Sequence, residues 1–160
     1  MYYSKHNSYR LILALLLMMA SIYANADKPD LKFRRLDTRN GLSNSQVNCI
    51  LKDSKGFVWI GTQYGLNRYD GYRFREFHSN IKDSTALLSD YVDNLFEDVD
   101  GKIWVQQELK YCVYDPKTEQ FEQNLSPWLN RAGVEGAVEK VYIDKRKNYW
   151  IKVWGGKLYY

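Results

Sequence analysis

Aspartate recurs in this chain at a fixed spacing, and a carboxylate can act as a general acid or base or can close a turn. In three places an Asp stands six residues before a Trp; the pairs are Asp53 and Trp59, Asp98 and Trp104, and Asp144 and Trp150. A catalytic group is needed once in a site, whereas these pairs repeat along the chain. We therefore interpret them as structural, and predict that each Asp closes a hairpin through backbone N–H groups and that each Trp is buried.

Histidine adds little chemistry, because the chain has only His6 and His78. No nucleophile or acid stands at a fixed spacing from His78, which we interpret as a solvated surface residue. The sequence has no glycine-rich phosphate loop, no Ser-x-x-Lys motif and no histidine pair at metal-binding spacing. The segment is therefore predicted to have no catalytic residue, no cofactor and no metal ion.

The Asp–Trp pairs belong to a repeat of about 45 residues, which is the period of propeller blades. Its three copies begin at Val47, Val92 and Val138. Hairpins are predicted at residues 53–56, 98–101 and 144–147, with Gly56 and Gly101 at the position that needs a positive φ. A tyrosine follows each Trp by ten residues, and we expect these tyrosines to wedge between neighbouring units; they are Tyr69, Tyr114 and Tyr160.

Each copy reads as a set of short strands separated by turns. In the first copy the predicted strands are residues 47–52, 57–62, 66–69 and 72–77, and the first of them is apolar enough to be buried on both faces. The dipeptide Asp70-Gly71 indicates a two-residue hairpin before the last strand. Four antiparallel strands per unit predict an all-β fold made of β-propeller blades.

The domain organisation starts with a predicted signal peptide over residues 1–26. A basic start precedes the apolar run at residues 11–20, and Ala24-Asn25-Ala26 forms a cleavage site; an uncleaved membrane anchor is the alternative. Residues 27–160 are predicted to be a partial propeller. It would hold a lone outer strand at 31–36, blades at 42–78 and 88–122, and a partial blade at 134–160. Because propellers need about four to eight blades, this is a fragment.

Charge and cysteine content narrow the partners. The chain has 23 Lys and Arg against 19 Asp and Glu, a mild and evenly spread excess that does not predict nucleic-acid binding. Cys49 and Cys112 fall on non-equivalent strands of different blades. We therefore predict two buried free thiols and no disulfide between them.

The first repeat resembles the two-component regulator propeller repeat. The resemblance rests on a run from Leu42 to Gly71 that includes Trp59-Ile-Gly-Thr and Gly65-Leu-Asn-Arg-Tyr-Asp-Gly. The opening at residues 33–43 resembles the usual entry of such sensors. The second and third copies depart from the pattern at residues 106–108, Lys147 and Lys152.

This resemblance implies a periplasmic sensor segment. Relatives carry two propellers in the periplasm, a β-sandwich, one membrane helix and a cytoplasmic histidine kinase. Hybrid members add a receiver and a DNA-binding regulator. Many respond to oligosaccharides and act as dimers. The segment would then be a non-enzymatic ligand sensor, with its kinase, membrane helix and homodimer contacts belonging to the full-length protein.

Two alternatives of other classes remain open. The spacing Asp53-x-x-Gly56-x-x-Trp59 also resembles the Asp-box hairpin of propeller glycosidases, and a propeller can serve as a protein-binding scaffold coupled to a different output domain. For the sensor, we expect the ligand at one rim, where fourth strands lead into the next blade and second strands turn into third strands. The candidate ligand-binding residues are Asn44 and Asp90, which offer hydrogen bonds, and Tyr64, which offers a ring for stacking on a sugar.

Overall fold

The computed structural model describes residue 10, residues 12–15 and residues 31–160. Residue 10 and residues 12–15 are helical, and most of the predicted signal peptide lies outside the described residues. In the part of the chain that is described, no helix is both long enough and apolar enough to cross a bilayer. The chain divides into two compact units, Met1–Arg35 and Leu36–Tyr160, and the strands of the described residues lie in the second.

Residues 36–160 form three antiparallel sheets in which each strand pairs with the next along the chain. Blade 1 contains β1 (Val47–Lys52), β2 (Val58–Thr62), β3 (Leu66–Tyr69) and β4 (Phe74–Phe77). Blade 2 contains β5 (Asn94–Glu97), β6 (Ile103–Gln107), β7 (Lys110–Asp115) and β8 (Gln120–Glu122). Blade 3 contains β9 (Val138–Ile143), β10 (Tyr149–Val153) and β11 (Leu158–Tyr159). A 3-10 turn at Thr38–Asn40 precedes blade 1, and the helix α1 (Ser126–Arg131) joins blades 2 and 3. The predicted propeller blades are confirmed.

The core lies between the blades, because each sheet is covered by its neighbour. The first strands face one another, with β1 against β5 and β5 against β9. One apolar layer, centred on Trp59, Val105 and Tyr114, fills the junction of blades 1 and 2. A second layer, which includes Trp104 and Val141, fills the junction of blades 2 and 3.

Three sequence expectations need correction at blade 1. Strand β1 is not buried on both faces, since Ile50 is 67% exposed; blade 2 covers only one side of it. The turn after β3 is not a two-residue hairpin, because Tyr69 pairs with Phe74 and residues 70–73 form the loop. No strand forms over residues 31–36, which have irregular backbone and belong to none of the sheets formed by the described residues. A strand forms where its backbone N–H and C=O groups pair with a neighbouring strand, and none of the described sheets includes residues 31–36.

One carboxylate joins the hairpins of all three blades. Glu97, at the end of β5, accepts a hydrogen bond from the Ser54 backbone N–H of blade 1 at 2.8 Å. Its other carboxylate oxygen lies 2.7 Å from the Lys147 ammonium of blade 3. Lys147 has a φ of 67°, at the turn position where the other blades have glycine. The departure of Lys147 from the repeat pattern therefore supplies an ion pair between blades.

Candidate ligand-binding rim

The Asp–Trp pairs build the hairpins at one end of the blades. In blade 1, one carboxylate oxygen of Asp53 accepts the backbone N–H groups of Lys55 at 3.0 Å and Phe57 at 2.9 Å. The other oxygen accepts the indole N–H of Trp59 at 2.8 Å. The hairpin is thus closed on the backbone and on the buried ring by the same side chain. The sequence predicts the hydrogen bonds from the backbone to Asp53, but it does not predict the hydrogen bond from the Trp59 indole.

Blades 2 and 3 repeat this arrangement. The donors to Asp98 are the backbone N–H groups of Asp100 and Lys102, both at 2.9 Å, and the indole of Trp104 at 3.1 Å. The donors to Asp144 are the backbone N–H groups of Arg146 at 2.8 Å and Asn148 at 3.0 Å, and the indole of Trp150 at 3.3 Å. The hydrogen bond from Asn148 holds the pKa of Asp144 below its usual value. Since the donors to these carboxylates come from the fold itself, their role is structural.

The buried positions follow the repeat only where a neighbouring blade is present. Trp59 is 1% exposed and Trp104 is 2% exposed, as predicted. Trp150 is only half-buried, with the ring of Tyr160 4.4 Å away, because no later blade packs on it in the described residues. Trp150 is therefore less completely buried than the other two tryptophans.

The tyrosine prediction holds at one of its three positions. Tyr114 is fully buried between blades 1 and 2, with its ring 5.0 Å from that of Trp59. Tyr69 instead packs on Phe74 and donates a hydrogen bond to the Gly71 carbonyl, since no blade precedes blade 1 in the described residues. Tyr160 is 80% exposed. The space beside Trp104 that Tyr160 would fill holds other rings, those of Trp128 and Tyr149.

The rim lies at the opposite end, where β2 turns into β3 and where blade 1 leads into blade 2. The turn at residues 63–65 is tied to this connector, because the Gly65 N–H donates to the Asp90 carbonyl at 2.7 Å. The Val92 N–H in turn donates to the Thr62 carbonyl at 3.0 Å. The two predicted ligand-binding loops are thus in contact.

Two of the three candidate ligand-binding residues come together here. The ring of Tyr64 is 57% exposed and lies 5.2 Å from the ring of His78. The Asp90 carboxylate accepts the Ser79 N–H at 2.7 Å and lies 3.5 Å from His78. Asn44 caps its own turn by accepting the Gln46 N–H at 2.7 Å. The candidate rim thus places Tyr64 and Asp90 on either side of His78, whereas the amide oxygen of Asn44 bonds within its own turn.

His78 is the residue of this site that sequence reasoning missed. Its side chain is 39% exposed, so it does lie at the surface, yet each ring nitrogen faces a carboxylate. Nε2 is 3.2 Å from Glu76, and Nδ1 is 3.5 Å from Asp90. The pairing of Leu66 with Phe77 carries His78 past the end of β4, beside the turn at residues 63–65. Strand register brings it there, and the sequence carries no local signal for that register.

The two cysteines are the other candidate reactive groups in residues 31–160. Cys49 and Cys112 are both free thiols, and burial raises the pKa of Cys49 to about 11 and that of Cys112 to about 12. Because the nucleophile is the thiolate, both are unreactive near neutral pH. In the described part of the chain, no group of three or more His, Cys, Asp or Glu side chains is placed to hold a metal ion.

Arginines do gather on the outer strands of blade 1, a feature that bears on the glycosidase alternative. The Arg68 guanidinium donates to the Tyr114 hydroxyl at 3.2 Å and lies 3.6 Å from Glu119 of blade 2. Arg75 pairs with the same carboxylate at 2.7 Å. These side chains hold two blades together, so they are engaged in packing rather than turned toward a substrate.

Comparison with known proteins addresses the repeat first. Residues 41–64, which run through β1, the Asp53 hairpin and β2 into the rim turn, match the two-component regulator propeller family. These residues are therefore similar to one repeat of that family. A 73-residue part of the chain is 34% identical to Histidine kinase P4 of Formosa agariphila, and this match covers 46% of the chain and 5% of that protein.

Two solved structures share the fold that surrounds the propeller repeat. The extracellular domain of a hybrid two component system from B. thetaiotaomicron is 23% identical with a TM-score of 0.59, and the match covers 78% of this chain and 18% of that one. The extracellular domain of a one component system from the same bacterium is also 23% identical, with a TM-score of 0.53 and the same two coverages. The chain thus spans 18% of the length of these structures.

Proposed function

We propose that this chain is part of the extracytoplasmic sensor region of a two-component regulator and that its rim binds an oligosaccharide. The match of residues 41–64 to the regulator propeller repeat carries the first part of this proposal. The extracellular origin of both similar structures, the predicted signal peptide and the predicted histidine kinase in the full-length protein are in accord with it.

The rim supports the second part, because it offers both kinds of contact that a sugar uses. The half-exposed Tyr64 ring can stack on a pyranose face, and Asp90 beside it can accept hydrogen bonds from hydroxyl groups. A ligand held by both residues would bridge the turn at 63–65 and the connector between blades. Such a contact would change how rigid blades are held together, and in a homodimer it would reach the kinase as a shift of domains.

The experiment is calorimetric titration of the full-length sensor with a panel of defined oligosaccharides. For the oligosaccharide that binds, Tyr64→Ala and Asp90→Ala should each weaken affinity about tenfold, since a stacked ring or a charged hydrogen bond contributes about 1–2 kcal/mol. Asn44→Ala should change it less, because Asn44 caps its own turn.

Tyr72→Ala is the matched control. Tyr72 is 93% exposed in the loop between β3 and β4, at the other end of the blade, so its removal should leave affinity unchanged. Unchanged affinity in all three rim variants, with their folding intact, would exclude this rim as the ligand site.

A further inference from the structure

The carboxylates at the two ring nitrogens of His78 fit one protonation state of the ring. Nε2 faces Glu76 on β4 at 3.2 Å, and Nδ1 faces Asp90 on the connector at 3.5 Å. A neutral imidazole has one N–H and can donate to only one of them, leaving a lone pair toward the other carboxylate. The imidazolium ion has both N–H groups. The geometry is therefore complementary to the protonated form.

The ring occupies a place that the surrounding backbone leaves open for it. A Cβ atom built on Gly65 would lie 2.9 Å from Cε1 of His78, and Gly65 has a φ of 105° that side chains rarely adopt. The ring of Tyr64 lies 5.2 Å away on the same turn. A protonated ring gains a favourable contact there, because a cation is attracted to an aromatic face.

Asp90 links His78 to the connector between blades 1 and 2. Its carboxylate holds the Ser79 N–H at 2.7 Å, and its carbonyl accepts the Gly65 N–H at 2.7 Å. Ser79 and Asp90 are the two ends of the loop at residues 79–90. The same carboxylate thus closes this loop, contacts the histidine and belongs to the rim site.

We propose that His78 is a proton-dependent positioning residue of the rim. When protonated it bridges Glu76 to Asp90 and holds the loop at residues 79–90 against the turn that carries Tyr64. The titratable groups that face it are Glu76 from β4, Asp90 from the connector and Tyr64 from the turn. Loss of the proton removes one of the two N–H groups and loosens the loop. Ligand binding should then be strongest in mild acid. This last step rests on the proposed function.

Hydrogen–deuterium exchange read by mass spectrometry tests the proposal on the full-length sensor without any ligand. Protection of peptides that cover residues 79–90, corrected for the intrinsic exchange rate, should be about two- to fivefold higher at about pH 5.5 than at about pH 8. His78→Gln keeps a polar side chain of similar reach but does not titrate, so it should remove this difference. Peptides that cover β6 serve as an internal control and should not respond.

An equal pH effect in the wild type and in His78→Gln, or no effect in the wild type, would overturn the proposal. If His78→Gln does not fold, Asp90→Asn replaces it, because the amide oxygen can still accept the Ser79 N–H while the charge is lost; the pH effect should vanish there too. A pH-dependent loop in a protein whose Tyr64 and Asp90 variants bind oligosaccharide normally would count against the proposed function and leave the role of His78 standing.

Discussion

Each of the two junctions between blades contains an Asp–Trp hairpin of the same type, but the residues that cover the Trp ring differ between the two junctions. Between blades 1 and 2, the ring of Trp59 meets Tyr114 at 5.0 Å and Phe77 at 5.8 Å. Between blades 2 and 3, the ring of Trp104 meets Trp128 of α1 at 5.1 Å and Tyr149 at 5.5 Å. The repeat therefore specifies the Trp that is buried at each junction, whereas the rings that pack against this Trp differ between the junctions.

The two junctions also differ in how closely they are filled beside the Trp ring. The Arg68 guanidinium lies 4.7 Å above the Phe57 ring and leaves a space of only about 180 Å³ between blades 1 and 2. The equivalent residue of blade 2 is Val113, and the cleft there is about 950 Å³. A long charged side chain thus fills the first gap, whereas the second stays open beside Trp128 and Asp115.

The largest expected effect is a difference in unfolding free energy among the Ala variants of the three tryptophans. Trp59→Ala and Trp104→Ala should each lower the free energy of unfolding by about 3–5 kcal/mol, because each leaves a large cavity. Trp150→Ala should cost about 1–2 kcal/mol, since this ring is only half-buried. Denaturant unfolding of the 160-residue chain, in which no described blade covers Trp150, measures these values. Equal losses at all three sites would show that coverage by the next blade does not matter.

The next effect separates the aspartates that hold these rings. Asp98 is 5% exposed and accepts the Tyr149 hydroxyl at 3.0 Å in addition to its hairpin donors. Asp98→Ala should therefore cost about 2–3 kcal/mol, because buried donors lose their partner, whereas the more exposed Asp144→Ala should cost about 1 kcal/mol.

Burial and the charge of Asp98 also raise the pKa of Tyr149. Ultraviolet titration should show that this tyrosine ionises only at higher pH than an ordinary one, and that Asp98→Ala lowers the pKa of Tyr149.

A smaller effect depends on pH. Burial alone would raise the pKa of Glu97, but the hydrogen bonds from Lys147 and Ser54 outweigh it and lower that pKa overall. A lowered folded-state pKa adds stability that is present above the unfolded value of about 4.3 and is lost as pH falls through the folded-state pKa. At neutral pH Glu97→Gln should cost about 1.5 kcal/mol, and at about pH 2–3 the two proteins should converge.

The control for this prediction is Glu135→Gln, at an exposed position of the blade 2 to blade 3 connector. It should leave the dependence of unfolding free energy on pH nearly unchanged. A constant difference between Glu97→Gln and the wild type across the acid range would contradict the ion pair as its source.

The smallest expected effect tests whether Arg68 fills the junction between blades 1 and 2. Arg68→Val gives the first junction the residue of the second, and should cost about 1 kcal/mol through loss of the contact with the Phe57 ring and of the hydrogen bond to Tyr114. Arg73→Val is the matched control, because Arg73 is 88% exposed and should change stability by less than about 0.5 kcal/mol. A loss in Arg68→Val no larger than that of the control would mean that the guanidinium does not close the gap.

The fold could be predicted from the sequence because its signals are local. An Asp, a turn and a Trp lie within seven residues, and each hairpin needs only those residues to form. Burial of Trp150 and Tyr160 could not be predicted in the same way, because a ring is buried by a neighbouring blade rather than by its own strand. Nor could the meeting of His78 with Asp90, which depends on strand register and on how a connector returns.

The site was predictable to a similar degree. The order of strands alone predicts that Tyr64 and Asp90 lie at the same rim, since turns at one end of a meandering sheet share a face, and the Gly65 N–H does donate to the Asp90 carbonyl. Asn44 was chosen by the same rule and caps its own turn, because a short amide side chain beside a free backbone N–H bonds locally first.

The carboxylate of Glu97 has a consequence for how the ring assembles. Blades of one repeat are similar enough to pair with the wrong neighbour, which is a common way for repeat proteins to misfold. A negative charge that needs Ser54 on one side and Lys147 on the other gives blade 2 a distinct left and right neighbour. A blade inserted out of order would leave that charge without its partners and be disfavoured. Contacts that differ between junctions thus give similar blades a fixed order along the chain.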